Sequence, residues 1–226
     1  MKSKNLFRLA GAAGALLITV AAAAFHPWSV FAAPAPAGPP PGTSAPPAGS
    51  YNVDPAHTNV NFAISHLGLS LVRGRFDDIS GSIVADPDNL ANSSVDITMK
   101  ADSIDTSVKM RDDDLRGKNY FDVATYPTLT FKSTKIEKAH GRDGNYAAIG
   151  DLTIHGVTKS VRLPFSVSGP IYDPWGKIRL GLLTHIQLKR TDFGVGSHDL
   201  LSNGNMAIGD DVDVTISLEA VRPQPK

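Results

Sequence analysis

Alternation of apolar and polar residues is the dominant pattern between Tyr51 and Val221. Apolar side chains recur at every second position in several runs, as expected for strands with one buried and one exposed face. The regular runs are Val60–Ile64, Val95–Met99, Leu129–Phe131, Val157–Val167, Ile178–Leu188 and Val212–Leu218. Two less regular runs, Arg73–Val84 and Tyr146–Ile154, bring the number of predicted strands to about eight. The pattern therefore predicts an all-β domain.

Short turn signals separate these runs. Asp86–Asn89, His155–Gly156 and Asp173–Gly176 are rich in the residues that turns require. Short connections favour antiparallel neighbours, because parallel pairing needs a long crossover. Eight such strands can close into a barrel, which removes the unpaired edges of the sheet. We predict an eight-stranded antiparallel barrel, and the alternation leaves a β-sandwich as the alternative.

One segment, near residues 107–126, does not alternate. It contains a charged, helix-compatible run at Lys109–Lys118 and then the aromatic residues Tyr120, Phe121 and Tyr126. The proline that follows Tyr126 returns the chain to an extended conformation, because the residue before a proline disfavours the helical region. We predict a short helical or loop insertion here that closes one end of the barrel over an apolar interior.

The N-terminus has the pattern of a secretory signal peptide. Met1–Arg8 is short and basic, Leu9–Phe25 is almost wholly apolar, and small residues at Ala32 and Ala33 stand at cleavage spacing. We predict a signal peptide at residues 1–32 and a location in the bacterial periplasm or outside the cell. Because the apolar run is near the lower limit for spanning a bilayer, an uncleaved N-terminal anchor is the alternative.

A proline-rich tract follows the signal peptide. Pro34–Gly49 contains seven prolines, and its other residues are Ala, Gly, Ser or Thr. Such a composition cannot bury apolar surface and predicts an extended, semi-rigid tether. We therefore assign residues 33–50 to a linker, residues 51–222 to the barrel and residues 223–226 to a short tail.

Composition excludes several kinds of site. The 226 residues include 22 Lys+Arg and 22 Asp+Glu, so no global charge favours nucleic acid or an anionic membrane, and we expect no nucleic-acid partner. The absence of cysteine excludes disulfides, zinc thiolate sites and thiol nucleophiles. The fold must therefore be stabilised by its core alone.

No recognisable motif for catalysis is present. The seven histidines form neither HxH nor HExxH, Asp112–Asp114 lacks the spacing of a calcium loop, and no GxSxG occurs. We predict a protein without catalytic residue, metal or cofactor. The alternative is a periplasmic hydrolase or isomerase for a small apolar substrate, which requires His66, Asp112 or His198 to cluster around one pocket.

Several patches of the chain resemble the YceI-like family of bacterial exported proteins. They are VDPAHTNVNFAISHLG, RGRFDDISGSI, RDDDLRGKNYFDVATYPTLTFKS, GDLTIHGVTKSVRLPF and KRTDFGVG, in this order. The resemblance covers about Tyr51–Val221. It implies a lipocalin-like barrel that holds a long apolar chain, typically a polyisoprenoid, in its pore. It also implies a periplasmic location and, in many members, a homodimer; the proline-rich tether is not part of the family domain.

We therefore predict a binding protein that sequesters or carries an isoprenoid or acyl chain. Its contact with membranes would be transient or through an uncleaved N-terminal segment. The predicted pore lining is Phe62, Phe76, Ile97, Met99, Leu115, Tyr120, Phe121, Tyr126, Phe131, Ile154, Leu163, Phe165, Leu182 and Ile186. We place a polar head group against His66, Arg111 or Asp112. A packed, ligand-free barrel that serves as an envelope interaction module is the remaining alternative.

Export should remove the signal peptide after Ala32 or Ala33. N-terminal sequencing of protein from the periplasmic fraction of an expressing bacterium should then begin at Ala33 or Pro34. Recovery of the protein in the membrane fraction with Met1 intact would contradict cleavage and support the anchored alternative.

Overall fold

Strands occupy most of the chain between Gly49 and Val221. The computed structural model describes residues 45–139, 144–202, 204 and 206–223. The predicted signal peptide, residues 33–44 of the predicted linker and residues 224–226 of the predicted tail lie outside the described residues. Among the residues described, no helix combines the length and the apolar character needed to cross a membrane.

The strands are named in chain order. They are β1 (Gly49–Val53), β2 (Asn59–His66), β3 (Ser70–Phe76), β4 (Ile79–Ala85), β5 (Ser94–Lys100), β6 (Ile104–Asp105), β7 (Thr128–Lys138), β8 (Tyr146–Ile154), β9 (Val157–Tyr172), β10 (Ile178–Lys189) and β11 (Ile208–Val221). The α-helix, α1, is Lys109–Arg116, and short 3-10 helices occupy Pro55–His57, Leu90–Asn92, Ala101–Ser103 and Arg190–Phe193. The helix and the turns after it form the insertion predicted near residues 107–126.

Three of the long strands are interrupted. The 3-10 helix Pro55–His57 separates β1 from β2, Asp77–Asp78 separates β3 from β4, and Ala101–Ser103 separates β5 from β6. When these halves are joined, each strand pairs antiparallel with its neighbour in sequence, and β11 pairs with both β1 and β2 to close the sheet. The predicted eight-stranded antiparallel barrel is therefore confirmed.

We call the end of the barrel at the β2–β3 hairpin the upper end, and the end at the β4–β5 connection the lower end. The insertion, the β8–β9 turn and the segment between β10 and β11 lie at the upper end, because antiparallel strands return to the same end at every second connection. Both residues of the β8–β9 turn have positive φ, 49° at His155 and 72° at Gly156, as a tight two-residue hairpin turn requires.

Cross-strand register places apolar residues on the inner face. Phe62 of β2 lies opposite Val214 of β11 on one side and Gly74 of β3 on the other. A Cβ at Gly74 would stand 2.4 Å from Cζ of Phe62, so the glycine leaves the space that the ring occupies. Replacing this glycine would displace an inward aromatic side chain.

Arg179, near the start of β10, joins three parts of the chain. Its Nη1 donates to Oδ2 of Asp54 at 2.8 Å and to Glu219 on β11, and its Nε donates to Oδ2 of Asp173 at 2.8 Å. The hydrogen bond from Arg179 is the main reason that the pKa of Asp54 lies below its ordinary value. Burial raises the pKa of Asp173, but hydrogen bonds from Arg179 and two backbone N–H groups outweigh it, and the pKa is lowered.

Arg179→Leu should lower the melting temperature at pH 7, because three neighbouring carboxylates lose their shared cation. Carboxyl groups with lowered pKa stabilise the folded state above their ordinary pKa of about 4 and lose that contribution as pH falls through the folded value. The difference between wild type and variant should therefore shrink below about pH 4. Circular dichroism melting curves from pH 3 to pH 7 measure it.

Arg162→Leu is the matched control, because Arg162 is half exposed and its contact with Glu137 is a 3.4 Å surface pair. It should change the melting temperature little at any pH. An Arg179→Leu defect of equal size across the whole pH range would contradict the ion-pair account.

Candidate functional site

An apolar cavity of about 420 Å³ lies inside the barrel. Its walls are the inner faces of the strands, and its upper boundary includes residues of α1 and of the segment Arg190–Val195. The volume falls within the range of roughly 300–1,000 Å³ typical of ligand pockets. The interior is thus large enough for part of an apolar chain.

The structure places every predicted pore residue except Tyr126 on this cavity. They are Phe62, Phe76, Ile97, Met99, Leu115, Tyr120, Phe121, Phe131, Ile154, Leu163, Phe165, Leu182 and Ile186. Several of them, including Ile97, Met99 and Ile186, are only partly buried although they face the interior. In a packed core such side chains would be covered by their neighbours. The cavity beside these side chains is the main feature that distinguishes this barrel from the packed, ligand-free alternative.

Tyr126 lies elsewhere because it belongs to the turns after α1, where no strand periodicity fixes its direction. Its ring packs edge-on against His155 of the β8–β9 turn, with the ring centres 4.7 Å apart. A Cβ at Gly156 would stand 2.4 Å from this ring, so the turn glycine accommodates it. The expectation that Tyr126 lines the pore is therefore corrected.

The helix α1 is fixed to the end of β6 by polar contacts. Arg116 donates to the carbonyls of Asp102 and Ile104 at 2.8 and 2.7 Å. The Thr106 hydroxyl accepts from Nε of Arg111 at 2.7 Å and donates to Oδ1 of Asp112 at 2.5 Å. These bonds hold the helix across the upper end and leave Leu115 and Arg111 on the cavity.

Asp112 is buried and is not among the cavity-lining residues. Its carboxylate accepts from both the backbone N–H and the hydroxyl of Thr106. Burial raises the pKa of Asp112, but these hydrogen bonds and the charges of Arg116 and Arg111 outweigh it, so the pKa is lowered. Asp112 therefore stabilises the insertion, which corrects its assignment to a polar head group.

Aromatic side chains connect the insertion to the barrel wall. Phe76 of β3 packs against Phe62 with ring centres 6.0 Å apart, and against Phe121 of the insertion in an edge-on geometry at 5.7 Å. On the opposite side, the Tyr120 ring lies so close to Gly196 that a Cβ there would stand 2.9 Å away. The insertion thus packs against both the barrel wall and the segment that precedes β11.

Arg190 stabilises the segment that precedes β11 and forms part of the cavity boundary. Sequence reasoning missed this residue. Its buried guanidinium donates to four backbone carbonyls, of Gly209, Val195, Ser197 and Ile208, at 2.8–3.1 Å. The segment it organises places buried Phe193 and Val195 on the cavity. The sequence signal that could have indicated this segment is the pair of glycines in KRTDFGVG, because Gly194 and Gly196 both have positive φ.

Polar residues line the cavity at its upper end. His66, Asp114 and Lys189 are exposed and border it, together with partly buried Arg111. Neither Asp112 nor His198 lies on the cavity lining. The hydrolase alternative required these residues to gather with His66 around one pocket, and the structure does not bring them together there.

One group could present ligand atoms to a metal ion. Within the described part of the chain, the ligand atoms of Asp54, His57 and Glu219 lie within 4.8 Å of one another. The guanidinium of Arg179 already contacts both carboxylates. The positive charge next to these two carboxylates is therefore already supplied by Arg179.

Comparisons with known proteins agree with the barrel. The sequence model of the YceI-like domain matches residues 51–220. A UPF0312 protein of Yersinia pestis is 39% identical over 150 residues, which cover 66% of this chain and 77% of that protein. The crystal structure of Burkholderia cenocepacia BcnA has a TM-score of 0.64 at 28% identity, covering 74% of this chain and 98% of that one. A polyisoprenoid binding domain from Saccharophagus degradans has a TM-score of 0.55 at 18% identity, covering 76% and 98%, and this likeness shows the fold alone.

Thr106→Val should destabilise the protein by about 1–3 kcal/mol at pH 7, because it removes the hydroxyl between Arg111 and buried Asp112. The side chain keeps its shape, so packing should change little. Urea unfolding followed by circular dichroism measures the loss. Thr128→Val, at an exposed position at the start of β7, is the control. Equal stability of the two variants would contradict the role of Thr106 as an anchor of α1.

Proposed function

Because this chain belongs to the YceI-like domain family, we propose that it is an exported protein that sequesters or carries the apolar chain of an isoprenoid or acyl lipid. The observation that carries the proposal is the apolar cavity within the closed barrel, bordered by exposed polar residues at its upper end. A chain can lie among the aliphatic and aromatic side chains while a polar head group stays at the rim.

Burial of an apolar chain can account for tight binding without a reactive side chain. Each buried CH₂ contributes about 0.8 kcal/mol, so a five-carbon isoprene unit contributes roughly 3–4 kcal/mol before ordering costs are subtracted. A few units suffice for tight binding. Selectivity would then come from the length of the cavity and from the polar residues at its rim.

The S. degradans domain is described as polyisoprenoid-binding, and it shares the barrel fold. This supports an isoprenoid as one chemical class of ligand. The lining itself favours any long hydrocarbon, because the walls of the cavity are aliphatic and aromatic side chains such as Met99, Phe131 and Leu182. The proposal therefore includes acyl chains as well.

The head group would lie between His66, Lys189 and Arg111. Among the described residues, Arg111 donates to Thr106 through Nε and Nη2, and a guanidinium carries five N–H donors. Lys189 is exposed and is paired with Asp211 at 3.1 Å and with Asp210 at 3.6 Å. These groups can donate hydrogen bonds to hydroxyl, carbonyl or carboxylate oxygens at the rim.

Export belongs to the proposal as well. Long-chain isoprenoids and acyl lipids are poorly soluble in an aqueous compartment, so moving them outside the cytoplasmic membrane requires an apolar enclosure. The N-terminal pattern of a signal peptide followed by a proline-rich tether fits such a location.

Met99→Arg tests the assignment of the cavity. Met99 of β5 lies on the cavity lining, so an arginine there would place a charge against the apolar chain. The affinity for a fluorescent fatty-acid analogue, measured by titration, should fall at least about tenfold. The variant should still fold, with reduced stability.

Thr98→Arg is the matched control, because Thr98 precedes Met99 on β5 and points to the opposite face of the strand. It should bind the analogue like wild type. Absence of saturable binding by wild type, or equal affinity of folded Met99→Arg, would contradict the proposed function.

A further inference from the structure

A second, smaller cavity of about 60 Å³ lies towards the lower end of the barrel. Its boundary includes Pro46, Leu90 and Val167, none of which borders the main cavity. Three side chains, Val95, Phe165 and Leu182, line both cavities. The two spaces are therefore separated by a partition no thicker than one layer of side chains.

Phe165 is the largest member of this partition. It is 9% exposed, and its ring stacks on Tyr146 with centres 5.7 Å apart and planes 23° from parallel. Tyr146 borders the small cavity but not the main one, and it is only partly buried. Rotation of the Phe165 ring out of this stack would move aside the largest of the three side chains that line both spaces.

The small cavity is lined mainly by apolar side chains, including Leu90, Val167 and Leu180, so it suits a hydrocarbon group better than water. Its volume exceeds the roughly 10–15 Å³ that one water molecule needs. Asp86 is the one charged group among the described residues that line it. Its carboxylate accepts hydrogen bonds from the Asn89 backbone N–H and the Asn92 amide, at 2.9 and 2.8 Å.

We propose that the small cavity is the distal end of the lipid-binding site and that Phe165 sets the chain length the barrel accepts. This rests on the proposed function. A short chain fills the main cavity above Phe165. A longer chain enters the distal space when the ring turns aside, and the lost Phe165–Tyr146 stacking is offset by burial of the additional methylene groups.

Two variants change the distal space in opposite directions. Phe165→Ala removes the partition and should favour long chains. Val167→Phe places a ring two residues further along the same face of β9, in the distal space, and should disfavour them. Phe76→Ala is the matched control: Phe76 is similarly buried but lies beside the insertion and borders only the main cavity.

The experiment measures the affinities of prenols, from geraniol upward by one isoprene unit at a time, by displacement of a fluorescent fatty-acid analogue. The readout is the ratio of long-chain to short-chain affinity. We expect it to rise about tenfold or more in Phe165→Ala and to fall similarly in Val167→Phe. In Phe76→Ala, short and long prenols should be affected alike.

Circular dichroism establishes that each variant is folded, and Phe165→Leu replaces Phe165→Ala if the larger deletion unfolds the barrel. If the ratio of long-chain to short-chain affinity is the same in wild type, Val167→Phe and the folded Phe165 variant, the distal assignment alone is overturned. Failure of wild type to bind any prenol or the fatty-acid analogue would overturn the proposed function, and the distal assignment with it.

Discussion

Closure of the sheet is the constraint on which the rest of the structure depends. Because β11 pairs with β1 and β2, the last strand of the described sheet is joined to the first and the sheet closes. The width of the barrel then follows from the number of strands. An eight-stranded barrel is just wide enough to be packed by side chains or to hold one ligand. Here medium-sized inward residues such as Ile97 and Met99 leave space between them.

The polar contacts of the upper end preserve this space. Arg111, Arg116 and Asp112 fix α1, while Arg190 fixes the segment before β11, through hydrogen bonds that mostly involve backbone groups. In the part of the chain that the structure describes, no buried side-chain nitrogen or oxygen is without a hydrogen-bond partner. The boundary of the apolar cavity is thus held by satisfied polar networks, which make it rigid.

Strand periodicity predicted the barrel and most of its lining, because side chains alternate strictly between the two faces of a strand. Residues such as Phe131 and Leu182 could therefore be assigned to the lining from the sequence alone. The errors, Tyr126 and Asp112, lie in the insertion, where direction is decided by tertiary contacts with His155 and Thr106. Arg190 was missed for the same reason, since its carbonyl partners lie 5–19 residues away, in the segment after it and at the start of β11. The proposed class of ligand came from family resemblance and not from periodicity.

Mass spectrometry of lipid extracted from the natively expressed protein, purified without detergent, would show whether the barrel holds an apolar chain in the cell. We expect a lipid with a long apolar chain in about equimolar amount with the barrel, since the closed sheet encloses one main cavity. Extracts without any stoichiometric lipid, together with failure of the purified barrel to take up a fluorescent lipid analogue, would contradict it.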